Sequence, residues 1–386
     1  MKNWKMELAL VAFLSASLVS GQTASPADAQ ALESQGKLAE AAQAWQSITQ
    51  QRPNDAAAYA SLGVVLSKQQ KYPQAALAYR KAIKLNPKLP GAQLNLGLAE
   101  FKQGKFRAAI VPFRASLASE PQNAQALTLL GLSYYGDKQF EEASKYLKLA
   151  AASDAANAEL RRVLAQSCLW AKDYSCALEE FRQILQADPD SASAHVLSGE
   201  ALDGLGRTSE AIEEFRTAAR ISPSEPNLHF GIGFLDWKLH QYDDARKEFE
   251  AEIAMNPDHS QALAYMGDIE WKTDHADAAL SLLNRAIKSG ENTRIAYVDL
   301  GAIYAKQKQY KKAEAALLRA IEMDPTQADA HYRLGRLYQA LGNTAAAQKE
   351  LDRVRKLHGS ADEGLVGKMA TAPPSLNESE GHSPQQ

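Results

Sequence analysis

A fixed spacing of 34 residues runs through this chain and constrains its fold more than any other feature. Ten alanines form one ladder with that spacing: Ala41, Ala75, Ala109, Ala143, Ala177, Ala211, Ala245, Ala279, Ala313 and Ala347. A second ladder consists of Gly63, Gly97, Gly131, Ala165, Gly199, Gly233, Gly267, Gly301 and Gly335. A fixed period without gaps is typical of stacked helical hairpins, each too small to bury its apolar face alone.

Each unit of the period contains two amphipathic segments. Residues 56–89 define the numbering, with Ala56 as position 1, and they carry apolar residues at helical spacing on both sides of a short polar connection. The glycine ladder then falls at position 8, in the first helix, and the alanine ladder at position 20, in the second. Small residues at these facing positions predict a close approach of the two helices, because glycine inside a helix otherwise costs about 1 kcal/mol relative to alanine.

Two further positions complete the pattern. Position 24 is large and apolar, and we expect it to fill the space between neighbouring hairpins; it holds Trp45, Tyr79, Phe113, Leu147, Phe181, Phe215, Phe249, Leu283, Leu317 and Leu351. Position 32 is usually proline, which lacks an amide donor and so ends the second helix; it holds Pro53, Pro87, Pro121, Pro189, Pro223, Pro257 and Pro325. Ala155 and Glu291 are the exceptions, and we expect those two junctions to fray or bend differently.

This combination of positions resembles the tetratricopeptide repeat family over residues 22–358. The resemblance implies an all-α, right-handed superhelical solenoid of about ten helix-turn-helix repeats, nine regular and a degenerate first one. In that family the first helices line a concave inner surface. The matching positions lack both the basic clamp of chaperone-binding members and the asparagine ladder of members fused to glycosyltransferases.

The two ends of the chain differ from the repeats. Residues 1–21 combine two lysines, an apolar run and small residues, which predicts a signal peptide and export to the periplasm or beyond. The alternative is an uncleaved anchor in the inner membrane, although the apolar run is short for a span. After processing we expect no integral membrane span. Residues 359–386 are rich in Pro, Ser, Gly and Glu and are predicted to be a disordered tail.

Charge and cysteine content exclude some functions. The formal net charge is −3, and we expect acidic and basic residues to be interspersed along the chain. We therefore expect no basic surface of the kind that binds nucleic acid. Cys168 and Cys176 are the only cysteines and lie on either side of one internal turn. Two alternatives are open for them: a disulfide across the hairpin, in an exported protein, or a pair of buried thiols. Their spacing fits no zinc site, and we predict no metal and no cofactor.

No catalytic motif is present in the sequence. It contains no nucleophile elbow, P-loop, dinucleotide-binding loop after a strand or HExxH motif. His195, His229 and His331 share position 4 of their repeats, which predicts a packing role. Pairs of acidic residues at the start of second helices complement the helix dipole. We therefore predict a protein that is not an enzyme.

The first helices carry the candidate binding surface. Positions 2, 5, 9 and 12 share one helical face, and apolar side chains there are candidates for contact with a partner. These candidates are Leu94, Leu98, Phe101, Tyr135, Phe230, Phe234, Trp237 and Trp271, together with Trp170, which lies at position 13 beside Leu169 at position 12. The alternative is that neighbouring first helices bury them as core. For Phe234, Trp237 and Trp271, which cluster in neighbouring units, we favour the exposed groove. Glu200, Asp203 and Asp268 are interspersed on the same face.

The function predicted from these features is that of a non-catalytic scaffold or adaptor in the bacterial cell envelope. It is expected to bind a protein or peptide in the concave groove. Two alternatives are a self-associating structural solenoid, which would form a homo-oligomer, and a periplasmic polysaccharide-binding module.

Overall fold

The computed structural model describes residues 25–154, 156–290 and 293–357, and all regular secondary structure within these ranges is α-helical. The chain divides into two compact units, unit 1 at residues 1–129 and unit 2 at residues 130–386. The helices of unit 1 are α1 (Pro26–Ser34), α2 (Leu38–Gln51), α3 (Ala56–Lys68), α4 (Tyr72–Leu85), α5 (Ala92–Phe101) and α6 (Phe106–Ser119). Helix α7 (Ala124–Gly136) contains the boundary.

Unit 2 continues with thirteen helices in its described residues. They are α8 (Phe140–Ser153), α9 (Ala158–Trp170), α10 (Tyr174–Ala187), α11 (Ala192–Gly204), α12 (Thr208–Ile221), α13 (Leu228–Lys238), α14 (Tyr242–Met255), α15 (Ser260–Lys272), α16 (Ala276–Ser289), α17 (Arg294–Lys306), α18 (Tyr310–Met323), α19 (Ala328–Ala340) and α20 (Thr344–Leu357). Odd and even helices pack in consecutive pairs, which gives repeats 1 to 10. The predicted all-helical repeat architecture is confirmed.

The turn inside each repeat has one conserved backbone shape. Position 15 adopts a left-handed conformation in all ten described repeats, at Gly36, Gln70, Gly104, Lys138, Lys172, Gly206, His240, Asp274, Lys308 and Gly342. The amide of the following residue then reaches back to the first helix, as Lys71 N does to Leu66 O at 2.9 Å. This contact satisfies a carbonyl at the helix end. Six of the ten residues are not glycine, so the hairpin imposes this shape on ordinary side chains.

Prolines decide where two of the first helices begin. Most first helices start at position 1, but α5 and α13 start two residues later. In both repeats position 1 is proline, Pro90 or Pro226, and the residue that follows, Gly91 or Asn227, is left-handed. At the other end, the second helix α4 ends at Leu85, two residues before Pro87. This agrees with the predicted role of proline at position 32.

The glycine ladder makes room for the large side chain at position 24. A Cβ built on any of the eight ladder glycines would lie 2.5–3.0 Å from the position-24 side chain of the same repeat. That residue therefore fills space inside its own hairpin, which corrects the expectation that it acts only between hairpins. Tyr79 does both, since it also belongs to the apolar cluster that contains Leu96 and Ala99 of the next repeat. All ten ladder alanines are buried.

Some sequence predictions lie outside the described residues. These are the signal peptide at residues 1–21, the tail at residues 359–386, and the junction residues Ala155 and Glu291. Of the helices that the structure describes, none combines the length and the apolar character needed to cross a bilayer.

Candidate functional site

The first helices of neighbouring repeats contact one another directly. In unit 1 this holds for α3 and α5, and in unit 2 for α9 with α11, α13 with α15, α15 with α17, and α17 with α19. The candidate residues lie on first helices, and all of them except Tyr135 of α7 lie on the helices just named. Their exposure therefore depends on how closely consecutive first helices pack.

In unit 1 the three candidates remain accessible in part. Leu94, Leu98 and Phe101 on α5 are each half-buried. The ring of Phe101 packs edge-on against Phe106 of the second helix, with centroids 5.4 Å apart. One helix therefore presents three apolar side chains that retain some solvent contact.

Three candidates in unit 2 are core residues, which corresponds to the alternative that neighbouring helices bury them, also for Phe234, where the groove position was favoured. Tyr135, Phe230 and Phe234 are only 3%, 1% and 3% exposed. For Phe230 and Phe234 the reason is the close contact between α13 and α15: Phe230 stacks on His259 at 5.0 Å, and Phe234 meets Tyr265 edge-on at 5.3 Å.

Tyr135 is buried for a different reason. It packs against Phe140 with ring centroids 5.7 Å apart, and its hydroxyl donates to Gln166 Oε1 at 3.1 Å. These contacts tie the side chain to the second helix of its own repeat and to the first helix of the next. Tyr135 is thus a structural link between two repeats of unit 2.

The three tryptophans retain partial exposure. Trp170, Trp237 and Trp271 are half-buried, and Tyr332 at position 5 of repeat 10 is 52% exposed. Trp170 packs against Phe140 with ring centroids 6.1 Å apart. The accessible part of the aromatic surface in unit 2 therefore consists mainly of indole rings and Tyr332, and it lacks the phenylalanines of α13.

Lysines from the next repeat cover the two tryptophans of repeats 7 and 8. Lys272 Nζ lies 4.6 Å from the Trp237 ring centroid, and Lys306 Nζ lies 5.0 Å from that of Trp271. Both are cation–π contacts between position 12 of one repeat and position 13 of the next. Trp237 Nε1 also donates to Asp268 Oδ2 at 2.5 Å, and Lys272 Nζ pairs with the same oxygen at 2.7 Å.

Carboxylates accompany the aromatic residues on this face. Asp203 accepts from Lys238 Nζ at 2.8 Å, and Asp268 holds Lys272 as described. Asp299, at position 6 of repeat 9, was not singled out in the sequence. It is 2% exposed, and burial together with the nearby Asp268 carboxylate raises its pKa well above the usual range. Arg333 of repeat 10 lies 4.0 Å from Asp299.

Two more buried carboxyl groups have few partners. Glu200, at position 9 of repeat 6, is 6% exposed, and desolvation by burial raises its pKa to about 8. Asp236 of α13 is fully buried, neither of its oxygens accepts a hydrogen bond from a described residue, and burial raises its pKa to about 6. Burial therefore disfavours the charged form of both groups relative to an exposed carboxyl group.

The three histidines at position 4 have a shared partner as well as a packing role. The Nδ1 atoms of His195, His229 and His331 lie 2.6, 2.7 and 2.6 Å from a glutamate oxygen at position 23 of the same repeat. Arg161 makes the equivalent contact to Glu180 at 2.5 Å in repeat 5. Each pair joins the two helices of one hairpin. This structural role accounts for the three histidines without a catalytic function.

The two cysteines are joined in the structure. Cys168 and Cys176 form a disulfide with a sulfur–sulfur distance of 2.04 Å and a Cα–Cα distance of 5.7 Å. The bond links α9 to α10 across the turn of repeat 5. Of the two alternatives that the sequence left open, the structure has the disulfide.

Metal-binding residues do not cluster in the described ranges. Nowhere in residues 25–154, 156–290 and 293–357 do three or more His, Cys, Asp or Glu side chains come together in a way that could hold a metal ion. The groups on the first-helix face are suited to contact with side chains of another molecule: indole rings, lysine ammonium groups and partly buried carboxylates.

Family models match most of the repeats. A tetratricopeptide repeat model matches residues 94–158, 163–226, 233–279 and 266–328, a second one matches residues 304–362, and a TPR repeat model matches residues 66–104. No curated protein matches the chain.

Solved structures share the fold at low sequence identity. A tetratricopeptide repeat protein from Parabacteroides merdae is 18% identical, with a TM-score of 0.50 and coverage of 64% of this chain and 97% of that one. The Cut9–Hcn1 hetero-tetramer of the APC/C is 14% identical, with a TM-score of 0.50 and coverage of 88% of both chains.

Proposed function

Because this chain belongs to the tetratricopeptide repeat family, whose members generally act as non-catalytic scaffolds for other proteins, we propose that it is a scaffold for a polypeptide partner. The proposed site is the first-helix surface of unit 2 in repeats 7 to 10, defined by Trp237, Trp271, Tyr332, Lys272 and Lys306. The observation that carries the proposal is the partial exposure of two tryptophans in consecutive repeats beneath lysine side chains.

This surface has the composition of a protein-binding site. Tryptophan and tyrosine dominate the binding energy of protein interfaces, because they bury a large area at little cost in conformational freedom. The lysines over Trp237 and Trp271 have flexible stems and are 35% and 61% exposed, so they can move aside or pair with partner carboxylates. An extended segment with alternating apolar and acidic side chains fits this arrangement.

The proposed location is the bacterial cell envelope. The predicted signal peptide at residues 1–21 supports export. The disulfide between Cys168 and Cys176 agrees with it, since such bonds persist in oxidising compartments and are rare in the cytosol. The partner is then an envelope polypeptide that meets the scaffold outside the cytoplasm.

A pull-down from envelope extract with matched variants tests the proposal. The test variant carries Trp271→Ala and Tyr332→Ala, which remove accessible rings from the proposed surface. The control variant carries Met255→Ala and Leu318→Ala, two side chains that are 46% and 47% exposed on second helices of unit 2. All proteins are first checked for unchanged helicity by circular dichroism.

The result we expect is a polypeptide captured by the wild type and by the control, and lost from the test variant. Equal capture by all three proteins would place the interface elsewhere. Capture of the same chain alone would favour a self-associating solenoid, and retention of a polysaccharide instead of a polypeptide would favour the sugar-binding alternative.

A further inference from the structure

Positive charge is concentrated in repeats 2 and 3 of unit 1. Residues 56–119 contain ten Lys and Arg residues and one acidic residue, Glu100, a formal net charge of +9. The whole chain carries −3, so the remaining residues together carry −12. Acids and bases are therefore segregated along the chain, which corrects the expectation that they are interspersed.

The acidic residue within this segment does not offset the charge at the surface. Glu100 is 1% exposed and pairs with Arg80 of the preceding repeat, while Arg80 itself remains 52% exposed. All ten basic residues are exposed. The surface formed by residues 56–119 is thus positive without any exposed carboxylate of its own.

Two exposed aliphatic side chains lie among these bases. Leu77 on α4 is 64% exposed and Val111 on α6 is 71% exposed, and both occupy position 22 of their repeats. These are the two most exposed of the large apolar side chains in the described residues. Apolar groups this exposed at equivalent positions of neighbouring repeats are candidates for contact with a partner.

Arginine follows each aliphatic residue at the same distance along its helix. Arg80 and Arg114 occupy position 25, three residues after Leu77 and Val111, so each pair shares one helical face. Lys84 extends that face of α4, and Arg107 lies on the same face of α6. We call the face made of Leu77, Arg80, Lys84, Arg107, Val111 and Arg114 the basic face of unit 1.

Part of this charge is available for a new partner. Lys84 and Arg114 form no ion pair with any residue that the structure describes. Arginine binds carboxylates through two parallel hydrogen bonds, which makes it well suited to acidic side chains. Repeats 2 and 3 each present one exposed aliphatic side chain with an arginine three residues later, so the same contact with a partner can be made twice.

We propose that the basic face of unit 1 is a second docking surface, which binds an acidic polypeptide segment with apolar side chains between its carboxylates. The positive charge of the face implies a negatively charged partner. The exposed Leu77 and Val111 imply that this partner also carries apolar side chains. The face belongs to unit 1 and the surface proposed in repeats 7 to 10 belongs to unit 2, and either proposal can fail without the other.

The side chains favour a polypeptide over other polyanions. Proteins that hold single-stranded nucleic acid stack bases on aromatic rings, and the apolar residues of this face are aliphatic. Surfaces that bind lipid bilayers use tryptophan and other large apolar residues along a continuous helix face, whereas each helix here exposes one aliphatic side chain. A segment of alternating leucine and glutamate matches both components.

Fluorescence anisotropy with synthetic peptides and the full-length protein provides the test. The probe is a labelled peptide in which leucine and glutamate residues alternate. One comparison peptide has serine in place of leucine, and another has lysine in place of glutamate. The test variants are Lys84→Glu with Arg114→Glu, which reverses charge, and Leu77→Ser with Val111→Ser, which removes the apolar contacts.

The matched control reverses two exposed lysines on second helices of unit 2, Lys311→Glu and Lys349→Glu. The proposal predicts binding of the leucine–glutamate peptide that weakens with added salt, because charges at an exposed interface are screened. Affinity should fall at least about tenfold in both test variants and change little in the control. The two comparison peptides should bind more weakly than the probe.

Several outcomes would overturn the proposal. Equal loss in the control and the charge-reversal variant would show that binding follows overall charge alone. Failure of the wild type to bind the probe would also reject the proposal. Binding only to anionic lipid vesicles would assign the face to a membrane, and binding only to an oligonucleotide would assign it to nucleic acid. A concentration-dependent dimer that the charge-reversal variant abolishes, without peptide binding, would assign the face to a second copy of the chain.

Discussion

Gly97 lies directly against the ring of Phe113 in the other helix of its hairpin. A Cβ at Gly97 would be 2.5 Å from Phe113 Cε1 and 2.6 Å from Cδ1. Carbon atoms of different residues do not approach that closely, so the ladder glycine is required by the large residue at position 24. The same relation holds for six of the other seven glycines of the ladder, and at Gly335 the nearest contact of a Cβ would be 3.0 Å.

Gly97→Ala should destabilise the protein by up to about 2 kcal/mol. Overpacking of a core costs about 1–3 kcal/mol, and the better helix propensity of alanine offsets about 1 kcal/mol of it. Urea unfolding of the purified protein measures the change. Gly335→Ala is the matched control, because its nearest contact is 3.0 Å, to Leu351 Cγ in the last described helix.

The control should change stability much less than Gly97→Ala, since the half-buried Leu351 can shift. Repeat 5 carries Ala165 at this ladder position and still buries Phe181. A hairpin can therefore fold with a Cβ at position 8. The expected loss of stability in Gly97→Ala reflects the shift of neighbouring side chains that repeat 3 must make. An unchanged or higher stability of Gly97→Ala would contradict the steric explanation of the ladder.

Glu200→Gln should stabilise the protein increasingly as pH rises. Burial raises the pKa of Glu200 from 4.5 to about 8 in the folded state. The unfolded chain ionises first, so the folded state binds more protons between these values and stability is lost as pH rises from about 4.5 to 8. Glutamine removes this loss, which is on the order of 5 kcal/mol above pH 8, at about 1.4 kcal/mol for each pKa unit.

Thermal unfolding of the Glu200→Gln variant and the wild type at pH 5 and at pH 8.5 provides the comparison. Glu213→Gln serves as control, because Glu213 lies on the second helix of the same repeat and its side chain is 70% exposed. The difference between Glu200→Gln and wild type should widen with pH, whereas that of the control should stay nearly constant. A constant difference for Glu200→Gln would show that its carboxyl group titrates normally.

Trp237→Phe should cost more stability than Trp271→Phe. Trp237 Nε1 donates to Asp268, which is 3% exposed, and the phenylalanine variant leaves that carboxylate with one donor fewer. Loss of a hydrogen bond to a buried charged group costs about 1.5–3 kcal/mol. Both variants lose similar ring area and both retain an aromatic ring beneath lysine.

Chemical denaturation of the two tryptophan variants separates these contributions. A loss for Trp237→Phe that exceeds that for Trp271→Phe by at least about 1 kcal/mol agrees with the assigned hydrogen bond. Equal losses would mean that the indole–carboxylate contact adds nothing to stability.

Reduction of the protein should add two hydrogens to its mass and lower its melting temperature. The disulfide between Cys168 and Cys176 spans a sequence separation of 8, a short loop for which chain entropy gives a stabilisation of about 2.5 kcal/mol. A variant with Cys168→Ala and Cys176→Ala should melt at the same temperature with and without reductant. Intact-mass spectrometry that shows no gain on reduction would reject the bond.

The 34-residue pattern was sufficient to predict the hairpins but not the exposure of their side chains. Ala41 and its equivalents identify the second helix directly, because a small residue at a fixed position of every repeat indicates a close approach of two helices. Phe234 and Trp237 lie on the same face of α13, yet only Trp237 retains exposure. Tyr265 of the next repeat packs against both rings, so the difference depends on how much of each ring the surrounding side chains cover, and a single helix pattern contains no such information.

Contacts between repeats were the other part that the sequence did not reveal. Lys272 over Trp237 joins residues 35 positions apart, and neither side chain signals the other in the sequence. The histidine–glutamate pairs, which lie within single repeats, do have a regular spacing. His195, His229 and His331 each have a glutamate 19 residues later, and a search for that spacing would have found them.

Hydrogen–deuterium exchange of the scaffold with its captured partner tests the central claim most directly. A partner on the proposed surface should slow exchange in α13, α15, α17 and α19 of unit 2, relative to the free protein. The second helices α14, α16 and α18 should exchange at unchanged rates. Protection confined to those second helices, or no change in unit 2, would contradict the assignment of the first-helix surface as the binding site.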